Sequence, residues 1–477
     1  MVVDMARIDI SYRNICRIAG PVVVTNFSYT MMGAIDTVMV GHLGVSALAG
    51  VGLGNMISFS LLSFFWGLTG GIDAMTAQAY GARDRDGIAR VFFQGLYLAL
   101  LCGVAILAAM PLVQMLLLRV HASPEVERIA AQFMSVRLFG GLTVVVLWVC
   151  DNFYRGLGRT RIMMWCGMVQ LLLNCGFNWV LIHGKLGLPA MGAPGAALGT
   201  VLAQLVIACY LLYSILFGPV RHEFAMRSNW RFQPEIFRRM VRLSVPIGVQ
   251  TGLEMGGVTV FTAVVARLGD AELAASNAVI QAWSVAFMGA LALAVGATTL
   301  VGQCVGAGEP EQARVVLQRV TRLGVGLMAV FGVVYVLAPR QLMALFVSAA
   351  DLPRLLPFAR PLFTVVVVCL LFDLKFNLLS GALRGAGDTT YSMLVNVGSA
   401  WLLFVPALLW ASPRWGLVGA WSCFILHLVA MSSLLELRVR GSRWLREPVL
   451  SRMPAAEGRD ETQKEATGYE FEETGSM

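Results

Sequence analysis

This sequence predicts an all-α polytopic membrane protein of about twelve transmembrane helices, set in two six-helix bundles. Three observations carry that prediction. Hydrophobic residues make up 57% of the 477 residues and charged ones only 13%, with a mean hydropathy of +0.72. A soluble core cannot hide that much apolar surface. Apolar stretches of the ~20 residues needed to cross a ~30 Å hydrocarbon layer recur along nearly the whole chain. Finally, the second half of the chain repeats the first.

The spans fall near 15–40, 52–80, 93–118, 130–154, 162–183, 194–217, 241–266, 277–304, 316–345, 356–382, 391–411 and 416–437, separated by short breaks rich in Gly, Pro and Arg. Runs such as "LYLALLCGVAILAAMPLVQMLLL" do not alternate apolar with polar residues, as barrel strands would. Helices also satisfy their own backbone amides in lipid.

Arginine distribution sets the orientation. "GARDRDGIAR", "YRGLGRTR", "RHEFAMRSNWRFQPEIFRRMVR" and "RVRGSRWLR" all lie on one side if the amino terminus is cytoplasmic, which places both termini inside. The net charge of +8 is then a topology and membrane-surface signal. Scattered over short loops, these basic residues do not make a nucleic-acid surface. No secretory cleavage site precedes the first span, so that span is expected to stay as an anchor. The nine cysteines lie mostly within spans without a Cys-x-x-Cys pair and read as small apolar fillers. The histidines are scattered, and His183 and His427 read as interfacial residues at helix ends.

A shift of 225 lays "RIAGPVV" at Arg17 over "RLSVPIG" at Arg242 and "QAYGARD" over "QCVGAGE", so that Gln78 meets Gln303 and Gly81 meets Gly306. Further on, a shift of 229 lays "YRGLGRT" (154–160) over "LRGAGDT" (383–389). Six spans per repeat is an even number, so both halves enter the membrane from the same side, related by a pseudo-two-fold axis along the membrane normal. The expected organisation is an amino-terminal lobe over 1–217, a basic cytoplasmic linker over 218–240, a carboxy-terminal lobe over 241–438 and a polar tail over 439–477 that is expected to be disordered. A cleft between the lobes is the natural place for a substrate.

Polar residues inside the spans are the candidates for chemistry, because an ionised carboxylate at mid-membrane costs roughly 2.5–3.5 kcal/mol on insertion scales. Asp36 stands near the outer end of the first span. Asn174 and Asn178 share one face of the fifth, and Thr200 offers a further oxygen in the sixth. In the second half, Glu254 lies about 18 Å along the seventh span from Arg242. Asp373 is similarly deep, with Asn377 one turn on. Two carboxylates in one bundle, such as Glu254 and Asp373, hold a cation between them or carry a proton. The structural alternatives are snorkelling for Asp36, interhelical hydrogen bonding for the amides, and an ion pair with Lys375 for either acid of the second half. Asp151 and Arg155, one turn apart, read as an intrahelical pair, and Asp73 as a gate anchor or a packing residue.

No Walker loop, nucleophile elbow, zinc-protease helix or Cys/His cluster occurs, so neither ATP-driven pumping nor an intramembrane enzyme has a visible kit, and no organic cofactor is expected. Secondary transport remains.

"DTVMVGHLGVSALAGVGLG", "GLTGGIDAMTAQAYGARD", "YRGLGRT" and "NWVLIHGKLGLPAMGAPGAALGT" resemble the multidrug and toxic compound extrusion (MATE) transporters, in particular the bacterial NorM-like branch, over about residues 15–437. The resemblance implies two six-helix lobes around a V-shaped cavity in the bacterial cytoplasmic membrane. It implies export of amphipathic, often cationic, drugs against an inward Na⁺ or H⁺ gradient by a single chain. It carries the amino-terminal ion site onto Asp36, Asn174 and Asn178, and the carboxy-terminal cation site onto Glu254 and Asp373. Related transporters often have an aspartate where Asn178 stands, so the amino-terminal site here has one negative charge fewer. A lipid-linked oligosaccharide flippase of the wider superfamily would favour a cationic cavity, whereas acids outnumber bases inside these spans. A non-transporting scaffold or receptor offers no reason for buried acids in both halves.

Overall fold

The computed structural model describes residues 8–445 apart from 118, 121, 225, 227, 228, 346–351 and 442. The segment 446–477, and with it nearly all of the expected tail, lies outside the described residues. Every regular element among the described residues is helical. The first half holds α1 (Tyr12–Gly41), α2 (Val45–Gly81), α3 (Arg85–Leu117), α4 (Pro124–Phe139), α5 (Gly141–Gly156), α6 (Thr160–His183) and α7 (Ala193–Leu216). A short α8 (Pro219–Glu223) leads into α9 (Pro234–Ala266), α10 (Asp270–Gly306), α11 (Pro310–Leu337), α12 (Pro339–Ala344), α13 (Leu352–Ala386), α14 (Thr389–Gly398) and, after a π-helical stretch at Ser399–Phe404, α15 (Val405–Arg440).

Among the described residues ten helices are long and apolar enough to cross a membrane, and α4 with α5, bent by 49°, passes the same test as a pair, giving eleven when the pair is counted as one span. The stretch Thr389–Arg440 is 52 residues, far more than one ~30 Å crossing needs. It breaks at Gly416 (φ 57°, ψ −142°), between the expected spans 391–411 and 416–437, which accounts for the twelfth. The membrane helices run past their apolar cores: α9 starts at Pro234, inside the basic stretch 218–240, and α15 reaches Arg440. Polar residues can extend a helix beyond lipid because its backbone bonds are internal.

Terminal chemistry sets several of these ends. The Ser11 hydroxyl accepts from the Asn14 amide at 3.2 Å to cap α1. Gly44 and Gly269, related by the 225-residue repeat, precede α2 and α10 with φ of 119° and 150°, a region other residues avoid. Side chains such as Leu100, Leu101 and Val104 on α3 and Val330 and Val333 on α11 point outward, as lipid-facing positions do.

Two main apolar cores form. One joins α2–α7 with the start of α9, and the other joins α9–α15 with Ile15, Ile18 and Ala19 of α1. Contacts between the two helix groups gather at one end. There Gly67 packs on Gly248 and Gly71 on Ser244, so α2 and α9 run antiparallel. The crossing of α2 and α10 is closer still, since a Cβ on Gly81 would overlap the Gln303 carbonyl and one on Gly306 the Gln78 carbonyl.

Candidate functional site

Three helices assemble the Asp36 site. On α6, Asn174 and Asn178 are fully buried one turn apart, and Thr200 on α7 is nearly so. Asp36 on α1 reaches them from the side: its Oδ1 accepts from Asn178 Nδ2 at 2.5 Å, and its Oδ2 lies 3.2 Å from the Thr200 hydroxyl. Asn174 Nδ2 donates to Thr200 Oγ1 at 3.0 Å, and Asn178 Nδ2 also approaches Asn174 Oδ1 at 3.4 Å. The Thr200 hydroxyl has one proton and two possible acceptors, Asp36 Oδ2 and the Ala196 carbonyl at 2.9 Å. It can therefore serve a charged Asp36 or turn away from a neutral one. Asn178 Oδ1 is buried with no hydrogen-bond partner. Such an orphan acceptor suits a cation or a carboxylic O–H.

The guanidinium of Arg137 on α4 donates at 3.3 Å to Gln204 Oε1 of α7, the helix that also carries Thr200. The sequence reading missed Arg137, although an arginine inside the apolar span 130–154 was a visible signal.

In the second group, Asp373 of α13 is buried and accepts from Asn377 Nδ2 at 3.0 Å. Glu254 of α9 is half-buried and makes no hydrogen bond among the described residues. Glu254 and Asp373 both belong to the second helix group, on α9 and α13. Lys375 pairs with Glu436 of α15 and with neither acid. Asp36 is thus separate from the Glu254–Asp373 pair. His427 is buried mid-helix, its ring centroid 5.4 Å from that of Phe404, rather than at a helix end; α15 continues another thirteen residues past it.

A third polar cluster lies where the two helix groups meet. Arg155 and Asp151 of α5 form the expected pair, with Nη2 to Oδ2 at 2.6 Å, and both are buried. Asp73 of α2 is buried beside them. The Thr299 hydroxyl of α10 lies 3.1 Å from the Arg155 carbonyl and 3.5 Å from Asp73 Oδ1. Two amides complete the contact: Gln78 Nε2 donates to the Gly385 carbonyl at 2.8 Å, and Gln303 Nε2 donates to the Gly156 carbonyl at 3.0 Å. The repeat maps Gln78 onto Gln303 and Gly156 onto Gly385, so each group offers the other the same bond.

Comparison with known proteins shows the family. A NorM probable multidrug resistance protein of Rhizobium meliloti is 30% identical over 423 residues, covering 88% of this chain and 91% of its own. A Pseudomonas aeruginosa counterpart is 31% identical over 427 residues, 86% of each chain. Among solved structures, the outward-facing conformation of a multidrug resistance MATE family transporter of the MOP superfamily superimposes with a TM-score of 0.82 at 21% identity, over 91% of this chain and 96% of that one. A MATE in complex with MaL6 gives 0.82 at 20% identity, over 90% and 95%. At these identities the two structures speak for the fold alone. The MatE family model matches twice, over residues 21–180 and 246–409, once in each repeat, and the chain belongs to the MatE family.

Proposed function

We propose that this chain is a secondary active antiporter that exports amphipathic, often cationic, organic compounds from bacterial cells in exchange for Na⁺ or H⁺, by alternating access between two lobes. The lobes span 1–217 and 241–438, joined by the cytoplasmic stretch 218–240. Both termini face the cytoplasm, and one chain suffices for transport. The observation that carries this reading is the Asp36 site: a carboxylate in an apolar helix, met by Asn178 and Thr200, with the Asn178 oxygen buried and without a partner. Packing alone gives no reason to leave that oxygen unmatched.

In this reading Asp36, Asn174, Asn178 and Thr200 form one ion or proton site, and Glu254, Asp373 and Asn377 the other. Glu254 and Asp373 hold a Na⁺ through carboxylate oxygens or share a proton between them. The relatives named above as multidrug resistance proteins support the substrate class. Arginine-rich breaks at the closed end support its assignment to the cytoplasmic side. Coupling requires that the driving ion and the exported compound bind the two conformations differently.

Purified protein in proteoliposomes tests this. A Na⁺ gradient and a pH gradient are imposed separately while efflux of a fluorescent lipophilic cation is followed. Efflux driven by at least one gradient is expected. Wild-type protein that responds to neither, in vesicles shown to hold their gradients, would refute antiport.

A further inference from the structure

Both lobes end one helix in the same way, and both leave the same carbonyl without a donor of its own. After α5, Gly158 takes a φ of 72° and its N–H bonds the Arg155 carbonyl at 2.8 Å, while the Arg159 N–H reaches back to Tyr154 at 2.9 Å. After α13, Gly387 takes a φ of 90° and bonds Arg384 at 3.0 Å, while the Asp388 N–H reaches Leu383 at 2.8 Å. These are matching positions in "YRGLGRT" and "LRGAGDT", and both are Schellman turns. Such a turn serves two carbonyls, here those of Tyr154 and Arg155 or of Leu383 and Arg384. It offers no donor to the next one, Gly156 in the first lobe and Gly385 in the second.

Each of those carbonyls takes its donor from the opposite lobe. Gln78 Nε2 of α2 donates to Gly385 at 2.8 Å, and Gln303 Nε2 of α10 donates to Gly156 at 3.0 Å. Both glutamines are buried, so water does not compete for these bonds in the closed form. The glycines let the acceptors sit deep enough to be reached: a Cβ on Gly156 would overlap the Asp73 carbonyl of α2, and one on Gly385 the Thr298 carbonyl of α10. The Thr299 hydroxyl adds one further bond, 3.1 Å from the Arg155 carbonyl, but Ala74 stands at the matching position of α2. The glutamine bond is therefore the polar tie that the two lobes give each other alike.

We propose that Gln78 and Gln303 form a reciprocal latch that sets the ratio of closed to open cytoplasmic ends. The inference rests on the reading of two lobes that alternate. In the closed form each lobe completes the other's helix end. Parting the lobes breaks both bonds, and cytoplasmic water then meets both amides and both carbonyls. A hydrogen bond exchanged for water changes the free energy little, so two of them bias the end toward closure without locking it. Removing one amide acts on the closed form alone, because the facing carbonyl stays buried there with no donor and is hydrated when the lobes part.

The test uses the full chain in lipid nanodiscs, with the cysteines that are not buried, Cys16, Cys175 and Cys209, replaced by serine. Spin labels at Ala82→Cys and Ala307→Cys, exposed residues just after α2 and α10, separate closed from open ends by their distance. Gln78→Met keeps the length of the side chain without its amide and should lower the closed-to-open ratio by at least about fivefold. Gln303→Met should act in the same direction from the other lobe, and the double variant should open further than either. Asn152→Leu is the control: it removes a buried bond of the same kind, 3.0 Å to Thr69, that lies within the first lobe, and should leave the ratio unchanged. A native protein that keeps one label distance at every Na⁺ concentration and pH, and with a lipophilic cation added, would overturn the alternating reading and the latch with it. A native protein that shows both forms, with the same ratio in both methionine variants, would overturn the latch alone, as would an equal shift in Asn152→Leu. If a methionine variant does not fold, asparagine at that position, which keeps the amide but withdraws it by one carbon, is read in its place.

Discussion

Asp36→Asn separates chemistry from scaffolding, because the site can accept the amide without losing a bond. Its Oδ1 would keep the proton offered by Asn178 Nδ2, now at 2.5 Å. Its new N–H₂ would donate to Thr200 Oγ1, now 3.2 Å away, while the threonine proton turns to the Ala196 carbonyl at 2.9 Å. Thr200 would then donate once and accept twice, from residue 36 and from Asn174, which fills its capacity. Exchanging two charge-assisted bonds for neutral ones costs roughly 1 kcal/mol each. Removing a buried charge returns roughly 2.5–3.5 kcal/mol. The balance is a gain of roughly 0.5–1.5 kcal/mol, so the variant should fold and melt at or slightly above wild type. Gradient-driven efflux per folded molecule should fall by at least about fivefold, the lower edge of usual coupling strengths, because no titratable or cation-attracting group is left at that position. Efflux in proteoliposomes and thermal melting in detergent check the two halves of the prediction. Wild-type efflux from a well-folded Asp36→Asn protein would refute the coupling role, and a collapse in stability would show Asp36 to be a structural tie.

Glu254→Gln and Asp373→Asn should each abolish ion-dependent transport, and the double variant should be little worse than either single one if the acids share one ion; additive losses in a double-mutant cycle would mean two independent roles. Gly306→Ala places a methyl against the Gln78 carbonyl, a backbone atom that cannot yield, so the lobes should part at their closed end at a cost of roughly 1–3 kcal/mol. Faster modification of an Ala77→Cys reporter by a cytoplasmic thiol reagent would register that opening, and an unchanged rate would remove the steric argument. Cysteines introduced at Arg221 and Trp230, in the stretch 218–240, should label only from the cytoplasmic side; labelling from outside intact cells would invert the topology.

Span number, the repeat and the acids were legible because each is local. A run of about twenty apolar residues needs lipid wherever it lies, and a carboxylate inside it is out of place whatever its neighbours. Asp36, Asn174, Asn178 and Thr200 could be named one helix at a time in this way, as could Glu254, Asp373 and Asn377. Helical periodicity also shows that Asn174 and Asn178 share a face, but it does not say which helix that face meets. Only tertiary structure brings α1 against α6 and α7, so that Asp36 bonds residues more than a hundred positions away, and gives Lys375 to Glu436 instead of to Asp373. What Arg137 meets was hidden for the same reason: its partner, Gln204, sits on another helix. The glycines that let α2, α9, α10 and α13 touch likewise act only in three dimensions, since helix association within a bilayer depends on shape and close packing more than on any hydrophobic pattern.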